Sequence, residues 1–246
     1  MANSINTNAG ALIALQNLNA TNRDLNVAQN RVNTGLKVST AKDNGAIFAI
    51  ATAQRAEMGA LDSVKQSIQR GQSIVDVALA AGETITKALE EQKSLAVAIA
   101  SSTGAAQTAY LADYNALGGE ITKALAGATF DGVNLFSNTT QQSVLTSTSG
   151  ATQNIGTGAA ITVATTATLS APADATAAQA AITAVDTAIS GFTAELGKLG
   201  TQSKSMERQL TFVSKMQDSL EVGIGNLVDA DLAKESARLT ALQTKQ

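Results

Sequence analysis

Asp229, Asp231 and Glu235 place three carboxylates close together near one end of the chain. Oxygen-rich clusters of this kind serve either as ligands for a hard cation or as an acid–base pair. A cation loop would also need a glycine-bearing turn and further oxygen donors, which the surrounding residues do not supply. Pairing with basic groups across a helix surface is therefore the better assignment. Other chemistry has little to work with. The 246 residues include no Cys and no His, which removes thiolates, disulfides, the usual zinc ligands and the commonest proton carrier near neutrality. We expect no enzyme here, and assign no catalytic residue, cofactor or metal. A formal net charge of -3 and a pI near 5.0 argue against a nucleic-acid partner, whose phosphates call for a basic surface.

The remaining charges admit two readings. Arg31, Lys37, Lys42, Asp43 and Arg55 either form ion pairs that fix the register between copies of the chain, or are simply solvated. Met1 to Asn22 carries no ionisable side chain. That absence fits a tightly packed polymer interior, where neutral amides exchange hydrogen bonds but lone ions are disfavoured. It equally fits a polar tail. The segment lacks the basic start, continuous apolar run and cleavage site of a secretory leader, and no stretch has the length of apolar residues that spans a bilayer.

These residues must be positioned by helices. Aromatics make up 3% of the chain, Trp is absent and Pro172 is the single proline, so small residues dominate and long helices run unbroken. Ala11, Ala14, Leu18, Thr21, Leu25, Ala28, Val32 and Gly35 recur at steps of three and four, a narrow stripe on one helical face. Nine Asn residues between Asn3 and Asn33 weaken this helix, which needs tertiary or intermolecular packing to persist. A second ladder, Val64, Ile68, Gly71, Val75, Ala78, Gly82, Ile85, Leu89, Gln92, Ala96 and Ile99, has near-heptad spacing and predicts a partner helix along its length. After a break at Ser102 to Gly104, Tyr110, Tyr114, Leu117, Ile121 and Leu125 predict a shorter returning helix.

From Gly132 to Ala173 there is no charged residue, and Ser and Thr supply nearly half of the later part. Val144 to Thr148 facing Ile161 to Ala164 across a turn-rich Ser149 to Asn154 reads as a hairpin; a disordered linker has a similar composition. Pro172 to Ala175 suits a helix start. Leu199, Met206, Leu210, Val213, Leu220, Ile224 and Leu227 then share one seam, and Leu232, Leu239 and Leu242 continue an apolar face. The expected fold is mainly α, an elongated antiparallel helical bundle with coiled-coil termini and a small β-hairpin region in the middle. Its expected segments are 1–40, 41–136, 137–172, 173–228 and 229–246.

Several blocks, in this order, resemble bacterial flagellins. Ile5-Asn6-Thr7-Asn8 with Ala11-Leu12 and Asn17-Leu18 is similar to the family's opening. Arg31 to Asn44, running Arg-Val-Asn-Thr-Gly-Leu-Lys-Val-Ser-Thr-Ala-Lys-Asp-Asn, resembles its arginine, threonine-glycine-leucine and serine-alanine-lysine-aspartate block. Thr129 to Phe136 resembles the turn before its variable region, and Asn226 to Glu235 its aspartate-alanine-aspartate signature. The match covers about the first 136 residues and roughly the last 55.

The resemblance implies a structural subunit of the flagellar filament, short and of alphaproteobacterial type, with paired N- and C-terminal helices inside and the variable residues outward. It implies assembly or partner contacts at Leu12, Leu18, Leu25, Arg31, Val32, Lys42, Asp43, Leu227, Asp229, Asp231, Leu232, Leu239 and Leu242. Implied partners are other flagellin subunits, a flagellar export chaperone, and hook-associated and cap proteins, with no membrane insertion. Implied localisation is the extracellular flagellum after a transient cytoplasmic stage, with export unfolded and without a cleaved leader. A hook-filament junction protein and a monomeric helical adhesin are the competing readings.

Three finer expectations follow. Ser137, Thr139, Thr140, Ser143, Thr146, Ser147 and Thr148 are candidates for O-linked glycosylation. The run Glu90, Glu91, Gln92, Lys93 lies where the vertebrate flagellin receptor expects an arginine-containing motif, with Glu91 in the arginine's place, so weak activation is expected. Finally, fifteen residues follow Asp231, about 22 Å of helix against about 40 Å for Ala11 to Lys37; relatives of this type continue further, so a missing terminal segment and failure to elongate filament seeds are expected.

Overall fold

A computed structural model describes residues 8–161, 163 and 175–245. Among them the fold is mainly helical, with two small antiparallel strand pairs. The elements are α1 (Ala9–Thr34), α2 (Gly45–Ser101), α3 (Gly104–Gly127), β1 (Thr129–Phe130), β2 (Val133–Asn134), β3 (Gln142–Leu145), β4 (Thr152–Ile155), α4 (Ala175–Val228) and α5 (Leu232–Gln243). They form two compact units, Met1–Ala60 with Lys215–Gln246, and Leu61–Ser214.

In the Leu61–Ser214 unit, all eleven positions of the predicted α2 ladder are buried. The partner is α4. Lys93 Nζ lies 2.6 Å from Asp186 Oδ1, Gly82 abuts Leu196, and Gly71 abuts Met206. Residue numbers rise along α2 as they fall along α4, so the two helices are antiparallel here. Both glycines mark close approaches. A Cβ at Gly71 would stand 2.6 Å from Val144 Cγ2, and one at Gly82 would run into the Leu196 side chain.

α3 returns beside α2, burying Leu111, Tyr114, Gly118 and Ile121. Tyr110, expected on this stripe, is exposed, because the buried face advances through Leu111 instead. Gln92 at the bottom of the ladder donates from Nε2 to the Tyr114 carbonyl at 3.0 Å, and one end of the bundle closes on Ala96, Ile99, Leu111, Tyr114, Ala178, Ala181 and Val185.

The strands sit on this frame. β1 and β2 are joined by Asp131 (φ 50°) and Gly132 (φ 76°), the two positive-φ residues of a type I′ hairpin, whose twist matches the flanking strands. Asn134 then ties off α3: its amide donates to the Leu125 and Ala126 carbonyls at 2.7 and 3.2 Å and accepts from Phe136 N–H at 2.8 Å. β3 pairs with β4, Gln142 opposite Ile155 and Leu145 opposite Thr152. This corrects the expected hairpin. The residues expected as its turn supply the second strand, because Gly150 (φ 88°) reverses the chain earlier than the Ser/Thr pattern reveals. Ile161 instead donates its N–H to the Phe136 carbonyl at 2.7 Å. Thr162, Ala164 and the Pro172 helix start lie outside the described residues.

Candidate functional site

The other unit contains α1, the loop after it, the beginning of α2, the end of α4, and α5. Gly35 (φ 73°) ends α1 in the left-handed conformation that favours glycine, with its N–H on the Arg31 carbonyl at 2.9 Å. The chain then lies along the α4–α5 junction as a short two-stranded clip. Lys37 N–H donates to the Val228 carbonyl at 2.7 Å, Ala230 N–H donates to the Gly35 carbonyl at 2.8 Å, and Leu36 pairs with Asp229. Lys37 also reaches the Asn226 carbonyl with Nζ at 2.9 Å, a cation against the last turn of α4, where the helix dipole is negative. Val38, Ala51, Ile224 and Val228 are buried beneath the clip, with Leu36, Ile47, Phe48 and Leu227 packed around them.

Asp43 organises the rest of the loop. Its Oδ2 accepts from the N–H of Ser39 at 3.0 Å and of Thr40 at 2.9 Å, and from both hydroxyls at 3.1 Å. Those donors, Thr40 and Ser39 backbone first, hold the Asp43 carboxyl below its ordinary pKa of 3.8. Asn44 next caps α2, its Oδ1 accepting from Ala46 and Ile47 at 3.1 Å. Asp231 does the same for α5, accepting from Lys234 N–H at 3.1 Å. The two acids singled out by type, Asp43 and Asp231, are thus a turn cap and a helix cap.

α5 packs against α1. Because α1 runs towards the clip and α5 away from it, the two are antiparallel. Leu25 and Ala28 are buried on α1; Val32 on α1 and Leu239 and Leu242 on α5 are half-buried. Arg31 Nη1 donates to Glu235 Oε1 at 2.9 Å, so the arginine read as either an inter-copy partner or a solvated charge finds an acid within its own chain. The burial of Glu235 was not legible: its sequence neighbours are polar, and only the i, i+4, i+7 relation to Leu239 and Leu242 marks its face. Lys42, Asp229 and Leu232 are exposed. The first turns of α1 are exposed throughout, with Leu12, Ile13 and Leu15 at 58, 59 and 55% and Leu18 also exposed.

In the Leu61–Ser214 unit, Ser137, Thr139, Thr140, Ser143 and Thr148 are exposed, whereas Thr146 and Ser147 are half-buried and use their hydroxyls on the Ala151 carbonyl and on Ser149. Glu90 and Glu91 are exposed, Gln92 is buried, and Lys93 is paired with Asp186. No described helix is long and apolar enough to cross a membrane.

Comparison with known proteins agrees with this geometry. The bacterial flagellin N-terminal helical region matches residues 5–141, and the bacterial flagellin C-terminal helical region matches residues 182–246. Flagellin FljM of Caulobacter vibrioides is 50% identical over 254 residues, covering 99% of this chain and 91% of that protein. A flagellin of Brucella melitensis is 32% identical over 257 residues, with the same coverage. The crystal structure of Bacillus cereus flagellin aligns with a TM-score of 0.53 at 24% identity, over 60% of this chain and 88% of that one, a likeness in fold. The chain belongs to the bacterial flagellin family. It is a structural subunit of the extracellular flagellar filament, not an enzyme, and it assembles with other flagellin subunits.

Proposed function

We propose that this flagellin polymerises through the first turns of α1, which dock on neighbouring copies. One observation carries the reading: Leu12, Ile13 and Leu15 stand more than half exposed on a stretch without any ionisable side chain up to Asn22. Surface helices ordinarily turn such residues towards a core. Contacts of this kind, made head to tail and not closing into a ring, propagate an open helical polymer. The clip of residues 35–38 on the α4–α5 junction supports the reading from the other side, since it fixes where α1 leaves the folded unit. Leu25, Val32, Leu239 and Leu242 then hold the two arms together within a subunit, Leu227 packs beneath the clip, and Leu12, Leu18 and Leu232 remain for neighbours. Arg31, Lys42, Asp43, Asp229 and Asp231 position these surfaces. The segments 1–40 and 229–246 are read as the inner arms, 41–136 and 173–228 as the surrounding helical layer, and 137–172 as the outward variable region.

The same apolar turns need shielding before export, which fits a transient cytoplasmic stage on an export chaperone; hook-associated and cap proteins would meet the arms at the filament ends. Exposed Ser137, Thr139, Thr140 and Ser143 are the sites where O-linked sugar is accommodated most readily. An intact mass equal to the bare polypeptide, on protein from its native host, would remove that assignment. The test of the main reading is the Leu12→Ser/Leu15→Ser variant: filaments sheared from cells making it as their only flagellin should be absent or shortened, with the helical content of the purified subunit nearly unchanged. Filaments of ordinary length would refute it.

A further inference from the structure

Asn44 and Gly45 form the one Asn–Gly peptide in the sequence. That dipeptide carries a reaction of its own, because glycine puts no Cβ in the way of the neighbouring side chain and turns freely. The Gly45 nitrogen attacks Asn44 Cγ, the new N–Cγ bond closes a five-membered imide, and the Cγ–Nδ2 bond breaks. Nδ2 leaves as ammonia, taking the proton that the Gly45 nitrogen gives up. Water then opens the imide at one carbonyl or the other. One route gives aspartate, and the other gives isoaspartate, in which the backbone runs through Cβ and Cγ. Nothing else in the structure calls for glycine at 45. Its φ is not positive, nothing lies within 4 Å of the methyl it lacks, and alanine is the better helix former.

The folded chain holds this reaction off. Asn44 is exposed, so water and hydroxide reach it and burial gives no protection. Its hydrogen bonds do. Oδ1 accepts from the N–H groups of Ala46 and Ile47, each at 3.1 Å, and the backbone carbonyl accepts from Phe48 N–H at 2.9 Å. Closing the imide rotates the Asn44 Cα–Cβ and Cα–C bonds, which pulls both oxygens out of those three bonds and unwinds the start of α2. The two products then differ in what they leave behind. Aspartate caps a helix as well as asparagine does and suits the positive end of the dipole. Isoaspartate lengthens the backbone by one carbon and shortens the side group by one, so the cap is lost next to Ile47 and Phe48, which pack beneath the clip.

We propose that Asn44–Gly45 is a folding-gated deamidation site: the unfolded chain converts it, the capped start of α2 shuts the reaction off, and isoaspartate spoils the cap in chains that stay unfolded too long.

The test incubates the purified full chain in one mildly alkaline buffer, folded and in concentrated urea, and follows residue 44 by peptide mapping and by isoaspartate methyltransferase labelling. Conversion should be at least about tenfold faster in urea, since the folded chain reacts only through local opening. Gly45→Ala should slow the reaction in urea while melting no lower than the parent, because its methyl hinders the attack and favours the helix. Isoaspartate-bearing chain returned to native buffer should melt below Asn44→Asp, which should melt close to the parent. Equal conversion in the two states, conversion in urea unaffected by Gly45→Ala, or isoaspartate-bearing chain that melts as Asn44→Asp does would each overturn the proposal. These measurements are made on unpolymerised chain, so their failure leaves the polymerisation reading standing.

Discussion

Replacing Gly71 by alanine should destabilise the chain, although the same change in an open helical position stabilises. In a helix interior Gly→Ala gains about 0.5–1 kcal/mol from backbone entropy and propensity. At Gly71 the new methyl would stand 2.6 Å from Val144 Cγ2 and 3.1 Å from both Val144 Cγ1 and Met206 Sδ. Met206 can yield, but Val144 is stiff at χ1, buried at 3% exposure, and fixed in β3, whose Leu145 N–H donates to Ser67 Oγ at 3.0 Å. Overpacking of this sort costs about 1–3 kcal/mol, leaving a net loss of about 1–2 kcal/mol. Gly197 is the control, being helical with nothing within 4 Å of its missing methyl, and Gly197→Ala should gain about 0.5–1 kcal/mol. Thermal unfolding followed by circular dichroism should separate the two variants by several degrees, at about 2–4 °C per kcal/mol for a chain of this size. Adding Val144→Ala should recover much of the Gly71→Ala loss, since contacting residues couple. If Gly71→Ala raised the melting temperature as Gly197→Ala does, the hairpin would not be seated on α2 and the reasoning would fail.

Three further outcomes are expected. Asp43 has a carboxyl pKa below 3.8 in the folded chain, so its contribution is present above that value and disappears as pH falls through the lowered one; the melting difference between parent and Asp43→Asn should therefore be visible at neutral pH and vanish in acid. Asn134→Ala removes the donors to two α3 carbonyls and the acceptor for Phe136 N–H, and should lower stability by about 2 kcal/mol in denaturant unfolding. Endotoxin-free protein should activate the vertebrate flagellin receptor weakly, because exposed Glu91 sets a repulsive or unpaired charge where an arginine is expected; potent signalling at low concentration would contradict this.

Long-range helical pairing was written in the sequence because heptad-like spacing survives wherever two helices run side by side. Every position of the Val64 to Ile99 ladder is buried, including the two glycines, which mark where the opposing side chains come closest. Short strands were harder. Thr and Ser occupy strands and turns alike, so the first strand was placed nearly correctly while its partner was set too late, and only the positive φ at Gly150 reveals the earlier turn. The stripe on α1 was legible over Leu25 to Val32, whereas Ala11, Ala14 and Leu18 stay exposed; the clip was not legible, because it is made by backbone groups of Gly35, Lys37, Val228 and Ala230, of which only Gly35, at φ 73°, constrains the residue type. Arg31 and Glu235 were each noticed, yet their partnership spans nearly the whole chain and has no local signature.

Electron microscopy of flagella from cells whose only flagellin is this one, in parent and Leu12→Ser/Leu15→Ser forms, tests the central claim most directly. Cells making the natural full-length protein should build regular filaments micrometres long, and cells making its Leu12→Ser/Leu15→Ser form stunted or missing ones. Parent protein that forms only a short junction ring or stays monomeric, or a variant whose filaments match the parent's, would contradict it.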